Sequence, residues 1–164
     1  MTELTQARLK ELLHYKAETG VFTRAKGIQG GGKIGSIAGY PHHTGYIYIG
    51  VALKIHLAHR LAWLYIYGEF PKNGIDHING IKTDNRIINL RACNQSENLM
   101  NTGAWPANKS GYKGVSWNGK DKRWRAQARL NRKFYYLGQF MDKEAAAECY
   151  QKFCKDNHGI FYRS

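Results

Sequence analysis

Asp76 and His77 are adjacent in "GIDHING"; Asn89 follows His77 by twelve residues and Asn98 follows Asn89 by nine. A carboxylate and an amide oxygen are hard donors of the kind magnesium takes, and that ion commonly keeps waters and phosphate oxygens as its remaining ligands. An imidazole titrates near neutral pH and suits a general base that activates a water. The set fits phosphodiester hydrolysis, with the cation stabilising charge on the phosphate and the leaving oxygen. We therefore expect one Mg2+ or Mn2+ per site, with Asp76 and Asn98 as metal ligands and His77 as the base. Asn89 is expected to hold the loop and to orient the imidazole through a hydrogen bond. Arg86 is a candidate phosphate contact, an ion pair with Asp84 or Glu97 being the alternative. His59 and Arg60 read as the polar start of a helix beneath the site, and the other histidines as surface or satisfied ones.

Such a set needs elements that converge. The stretch from 76 to 98 mixes asparagines with Ile and Leu, which a solvated loop would not need. "GIDHI" reads as a strand, "NGIKTDNRIIN" as a loop, "LRAC" as a second strand and "NQSENLMN" as a helix. A strand pair packed on a helix can bring Asp76, His77 and Asn98 to one point. Upstream, the leucines of "LTQARLKELLH" predict a helix to about His14 with Thr5 as N-cap. "TGVFTR" predicts a strand, and "GIQGGGKIG" a mobile loop, because it lacks the pattern of a phosphate-binding GK[ST] loop. "GYIYIGVALKIHL" alternates around a glycine turn as a hairpin. "AHRLAWLYIYG" predicts a buried helix stopped by Gly68.

The motifs "HRLAW", "IDHING", "DNRIINL" and "SEN" resemble the HNH nuclease family over about residues 40–101, most closely the branch of phage homing and nicking endonucleases. The resemblance implies a ββα-metal core and the same roles for Asp76, His77, Asn89 and Asn98. The last motif residue here is Asn98 rather than a second histidine. This favours magnesium or manganese over zinc.

After residue 101 the composition changes, and "NTGAWPANKSG" reads as a linker. "YKGVSWNGKDKRWRAQARLNRKFYYLGQF" shows three alternating runs with turns at "NGKDK" and "NRK". A helix follows, with Asp142 as N-cap and an apolar stripe of Ala146, Cys149, Tyr150 and Phe153. On the middle run, Trp124, Ala126, Ala128 and Leu130 share one face, whereas Arg125, Gln127 and Arg129 share the other. The small alanines let the helix approach, so the Arg/Gln face points away, toward a groove where Arg can read guanine and Gln adenine. "YKGV", "WRAQAR", "YLGQF" and the Ala-rich helix resemble the plant APETALA-two/ethylene-response-factor DNA-binding domain over about residues 109–158. That resemblance implies DNA contacts from Lys113, Gly114, Gln127, Arg129 and Tyr136. Ser116 replaces an Arg of the plant domains, so their target sequence does not transfer.

Composition sets the frame for these readings. The chain has 164 residues, 43% hydrophobic, enough to bury a core. Lys and Arg number 25 against 12 acids, a formal charge of +13 that favours a polyanion. Residues 1–107 carry +5 and the shorter remainder +8, so the C-terminal piece is expected to supply much of the DNA affinity. No apolar run reaches membrane-spanning length, and the N-terminus does not read as a signal peptide. Three cysteines without CxxC spacing suit a reducing cytosol and are taken as packing residues.

The expected fold class is α+β: a ββα-metal nuclease core with an N-terminal β-rich extension, then a small three-stranded antiparallel sheet packed on one helix. The expected domains are 1–101 (nuclease), 102–108 (linker) and 109–164 (DNA-binding). The expected function is a metal-dependent, site-specific, homing-type DNA endonuclease acting on double-stranded DNA in the cytoplasm of a phage-infected cell, with no membrane and no obligate protein partner. One active site per chain makes a nick the default outcome. The rival readings are a sequence-specific DNA binder with an inactive core and a non-specific, structure-directed nuclease.

Overall fold

The computed structural model describes residues 4–27, 32–95, 98, 107–130 and 133–158. The chain divides into two compact units, Met1–Asn94 and Gln95–Ser164.

The first unit opens with α1 (Gln6–Leu12), capped by Thr5, whose hydroxyl accepts from Arg8 N at 3.2 Å. The helix stops at Leu12, two residues short of expectation. Leu13 has extended dihedrals and begins β1 (Leu13–Lys16), which pairs antiparallel with β2 (Val21–Arg24). Pairing with Arg24 places Leu13 in the core, a position that another helical turn would remove. A three-stranded sheet follows, from β3 (Tyr40–Pro41), β4 (Ile47–Val51) and β5 (Lys54–Leu57), in the order β3-β4-β5. Its hairpin does not turn on a glycine as expected. Gly50 is a strand residue facing Ile55, and the turn is Ala52–Leu53. Burying Ile49 and Val51 sets this register.

The apolar helix α2 (Ala58–Tyr67) buries Ala58, His59, Leu61, Ala62 and Leu64 and ends on Gly68 in the left-handed region. With Leu9, Leu13, Phe22, Ile49, Ile75 and Leu90, the apolar members of this set, Ala58, Leu61, Ala62 and Leu64, form one core. At that core's edge, β6 (Gly74–His77) pairs antiparallel with β7 (Leu90–Cys93), and a 3-10 turn, Ile87–Asn89, leads into β7. Gln95 and Asn98 are helical.

In the second unit, β8 (Val115–Asn118), β9 (Arg123–Leu130) and β10 (Lys133–Phe140) form an antiparallel sheet in the order β10-β9-β8. It packs on α3 (Lys143–His158) through Val115, Ala126, Ala128, Ala146, Ala147, Tyr150 and Cys154. Cys154, outside the expected stripe, is fully buried, while Cys149 donates its thiol to Leu137 O from a half-buried position. Asn108, the last residue of the expected linker, has defined partners: its Oδ1 accepts from Ser110 N and Oγ, and its amide donates to Tyr112 O. Residues 102–106 and the "NR" of the second expected turn lie outside the described residues. Among the described residues no helix is long and apolar enough to cross a membrane.

Candidate functional site

Asp76 and His77 end β6, and both are buried, at 4% exposure each. The β6–β7 register sets Asp76 opposite Arg91 and His77 opposite Leu90. Arg91 directs Nε and Nη2 at one carboxylate oxygen, Asp76 Oδ2, at 2.7 and 2.6 Å. This partner was absent from the sequence reading. Arg91 thus already engages one oxygen of the carboxylate expected to hold the cation.

The imidazole of His77 sits among rings. His59 meets it edge-on with centroids 5.0 Å apart, and Tyr46 lies 5.9 Å away. Burial pushes the His77 pKa below the ordinary histidine value, while Asn85 and the carboxylates Asp76 and Asp84 act in the opposite direction. His59 is pushed further, to about 3, first by burial and then by His77 and Arg60. It is thus a neutral ring at ordinary pH, and its Nδ1 has no hydrogen-bond partner among the described residues. His59 does stand at a helix start, but its ring packs directly on His77. Burial also raises the Tyr46 hydroxyl pKa, with Asp76 contributing. Lys82 caps that tyrosine, its ammonium 4.8 Å above the ring and bonded to Thr44 O.

Three asparagines of the 78–89 loop divide the work differently from expectation. The amide facing His77 Nε2 is Asn85, whose Oδ1 lies 3.4 Å away. Asn89 holds the loop: its amide donates to Asn79 Oδ1 and Asp84 O, and its oxygen accepts from Asn79 N. The loop-holding half of the Asn89 expectation has a counterpart here; the imidazole contact passes to Asn85. Arg86 is engaged by a bidentate pair with Asp84 rather than extended toward a phosphate, at 2.8 and 2.6 Å. That pair holds the Asp84 carboxyl down, at about 2. Arg60 lies over the Phe70 ring.

The first hairpin supports this loop. Tyr15 donates its hydroxyl to Asn85 O at 2.7 Å, and burial lifts its pKa to about 12. Gly20, at φ 73°, lies so close that an added Cβ would be 2.5 Å from both Arg86 N and Asn85 C. Neither backbone atom can yield cheaply. Gly20→Ala is therefore expected to cost about 2 kcal/mol or more and to displace Asn85. A urea midpoint equal to the parent's would show that the loop accommodates the methyl group.

Asn98 is helical and exposed, and it belongs to the second unit. Among the described residues no three His, Cys, Asp or Glu side chains are grouped as a metal site. The available donor set of carboxylate and amide oxygens suits a hard cation that brings its own waters, and does not suit zinc.

On the open face of the second unit, Phe134 faces Arg129, Tyr136 faces Gln127, and both Gln139 and Ser116 face Arg125. Arg129 and Tyr136 are exposed; Gln127 and Arg125 are half-buried, and Arg125 Nε is enclosed without a hydrogen-bond partner among the described residues. Phe134, at 66% exposure, was missed by the sequence reading, although alternation with Tyr136 along β10 predicts its side. Two expected members lie elsewhere. Lys113 is half-buried, its pKa lowered by burial and raised in part by nearby Cys154. Gly114 turns its Cα toward the Tyr150 ring, so packing against α3 explains the glycine.

Residues 56–100 match the family model described as HNH endonuclease. Protein 3.8 of Escherichia phage T7 is 37% identical to this chain over 68 residues, covering 41% of the chain and 56% of that protein. The chain thus spans little more than half the length of this curated relative. No solved structure matches. The matched segment runs from His56 through β6, the 78–89 loop and β7, so an HNH endonuclease domain is what residues 56–100 of this chain resemble at the level of the family.

Proposed function

We propose that the protein is a metal-dependent DNA endonuclease whose catalytic residues are His77 and Asn89, with a Mg2+ or Mn2+ ion held by Asp76 and Asn98. The observation that carries this reading is the coincidence of the HNH match with the buried Asp76–His77 pair at the end of β6. When bound, the ion would supply charge stabilisation for the phosphate and the leaving oxygen. His77 takes the proton of the attacking water, and its burial beside His59 and Tyr46 lowers its pKa, favouring the neutral ring that can accept one. Asn85 positions the ring, Asn89 fixes the loop that carries Asn85, and Arg91 holds the Asp76 carboxylate in place.

In the same proposal the sheet of the second unit binds double-stranded DNA in the manner of the APETALA-two domains, through Arg125, Gln127, Arg129 and Tyr136. Its support is an open face of cations, amides and aromatics. Site-specific, homing-type nicking in a phage-infected bacterial cell completes the reading. The Asp76–Arg91 ion pair favours a second reading, a DNA binder with a silent core, because the guanidinium occupies one of the two oxygens a metal could use.

Supercoiled plasmid incubated with the full chain and magnesium is expected to relax to open circles, and excess chelator to stop the reaction. Intact supercoil with retained DNA binding would establish the silent-core reading instead.

A further inference from the structure

The hairpin of β4 and β5 closes on Ala52 and Leu53, with φ of 50° and 64°. Two successive positive values give a turn whose twist suits a hairpin, and asparagine and glycine adopt it most readily. Here the second position is leucine, and its side chain is wholly exposed. The turn therefore combines backbone strain, accepted for the register that buries Ile49 and Val51, with an apolar tip that none of the described residues covers. A backbone outlier of this kind points to a contact made at the surface.

Beside the tip runs a groove of about 490 Å3 whose lining includes Leu53, Ile55, Arg8, Arg24, Lys26 and Lys54. No carboxylate lines it among the described residues. Arg8 is already paired with Glu11, but Arg24 Nε is enclosed and has no hydrogen-bond partner among the described residues. An apolar tip ringed by cations complements a polymer with charged phosphates outside and stacked bases within. An acidic protein partner would match the rim but would offer no stack for the leucine.

We infer that the β4–β5 hairpin is a DNA wedge: Leu53 enters the base stack of duplex DNA while Lys54, Lys26 and Arg24 take the flanking phosphates. The inference rests on the DNA reading above, and it gives the first unit a DNA contact separate from the sheet of the second.

Leu53→Gly removes the wedge and installs the residue that the turn prefers, so the variant folds at least as stably as its parent. Full-length protein is mixed, in chelator, with short duplexes that step a single 2-aminopurine along the sequence. The parent is expected to raise fluorescence several-fold at one or more steps as the base unstacks. Leu53→Gly should leave every step dark and bind roughly tenfold more weakly, the worth of one buried leucine. Lys26→Gln combined with Lys54→Gln should reduce the slope of log K against log salt by about two. Binding by the parent with no change at any step, or an undiminished signal from Leu53→Gly, overturns the wedge. Plasmid nicking with a silent panel overturns the wedge alone, whereas failure to bind any duplex overturns the DNA reading as well.

Discussion

His77→Ala is expected to slow plasmid nicking by about 10²- to 10⁴-fold, the range over which a positioned base contributes, while leaving DNA affinity in chelator unchanged. The ring lies at the end of β6, whose ladder to β7 is built from backbone bonds that the substitution spares. Its loss opens space beside His59 and Tyr46, so a modest fall in stability is expected alongside the kinetic effect. Circular dichroism and the binding assay together separate the two effects: a folded variant that binds DNA and does not nick is the expected result. Nicking near the parental rate would remove His77 from the role of base. In that event the neighbouring ring, His59, would not replace it easily, because burial pushes its pKa down to about 3 and so makes it a weak base.

Gly114→Ala should be the most disruptive small substitution in the second unit. The glycine adopts φ of 75°, and a Cβ there would overlap the Tyr150 ring and come within 2.8 Å of Gln127 O. Tyr150 is buried with Ala128 and Cys154, and Gln127 O belongs to the central strand, so neither has room to retreat. Left-handed strain and overpacking together are expected to cost about 3 kcal/mol or more. For a sheet of three strands on one helix this is a large share of the total stability. The functional consequence is weaker DNA binding with a flatter salt dependence, since the cationic face depends on the sheet beneath it. Parental affinity and salt slope in a variant whose second unit has unfolded would take the DNA-binding role away from that unit.

Gly114 also shows where sequence reasoning stopped short. Resemblance placed Lys113 and Gly114 on a DNA-facing surface, but one is half-buried and the other packs against Tyr150. Both outcomes depend on how closely α3 approaches the sheet, a distance that no local pattern contains. Alternation along β9, by contrast, is a property of the strand itself. Trp124, Ala126 and Ala128 therefore turn to the helix and Arg125, Gln127 and Arg129 turn away, as their order predicts. The Ala52–Leu53 turn lies between these cases. A hairpin was legible from its alternating strands, but its register was set by the need to bury Ile49 and Val51, which moved the turn off Gly50.

The candidate active site divides along the same line. The sequence alone determined that Asp76 and His77 close one strand and that a second strand begins at Leu90, because Ile75, Leu90 and Cys93 must be buried on a short two-stranded element. Only the tertiary structure decided which groups those two residues meet. Asn79, Asn85 and Asn89 are chemically equivalent in the sequence. Tyr15, seventy positions before Asn85, and Gly20 beside it pin the loop so that Asn85 reaches the imidazole and Asn89 is committed to the backbone. The Arg91 pairing likewise follows from strand register, and the neutral state of His59 from its burial. Periodicity along a chain is local and so can be read from it, whereas a hydrogen-bond partner is chosen by whatever long-range packing brings within reach.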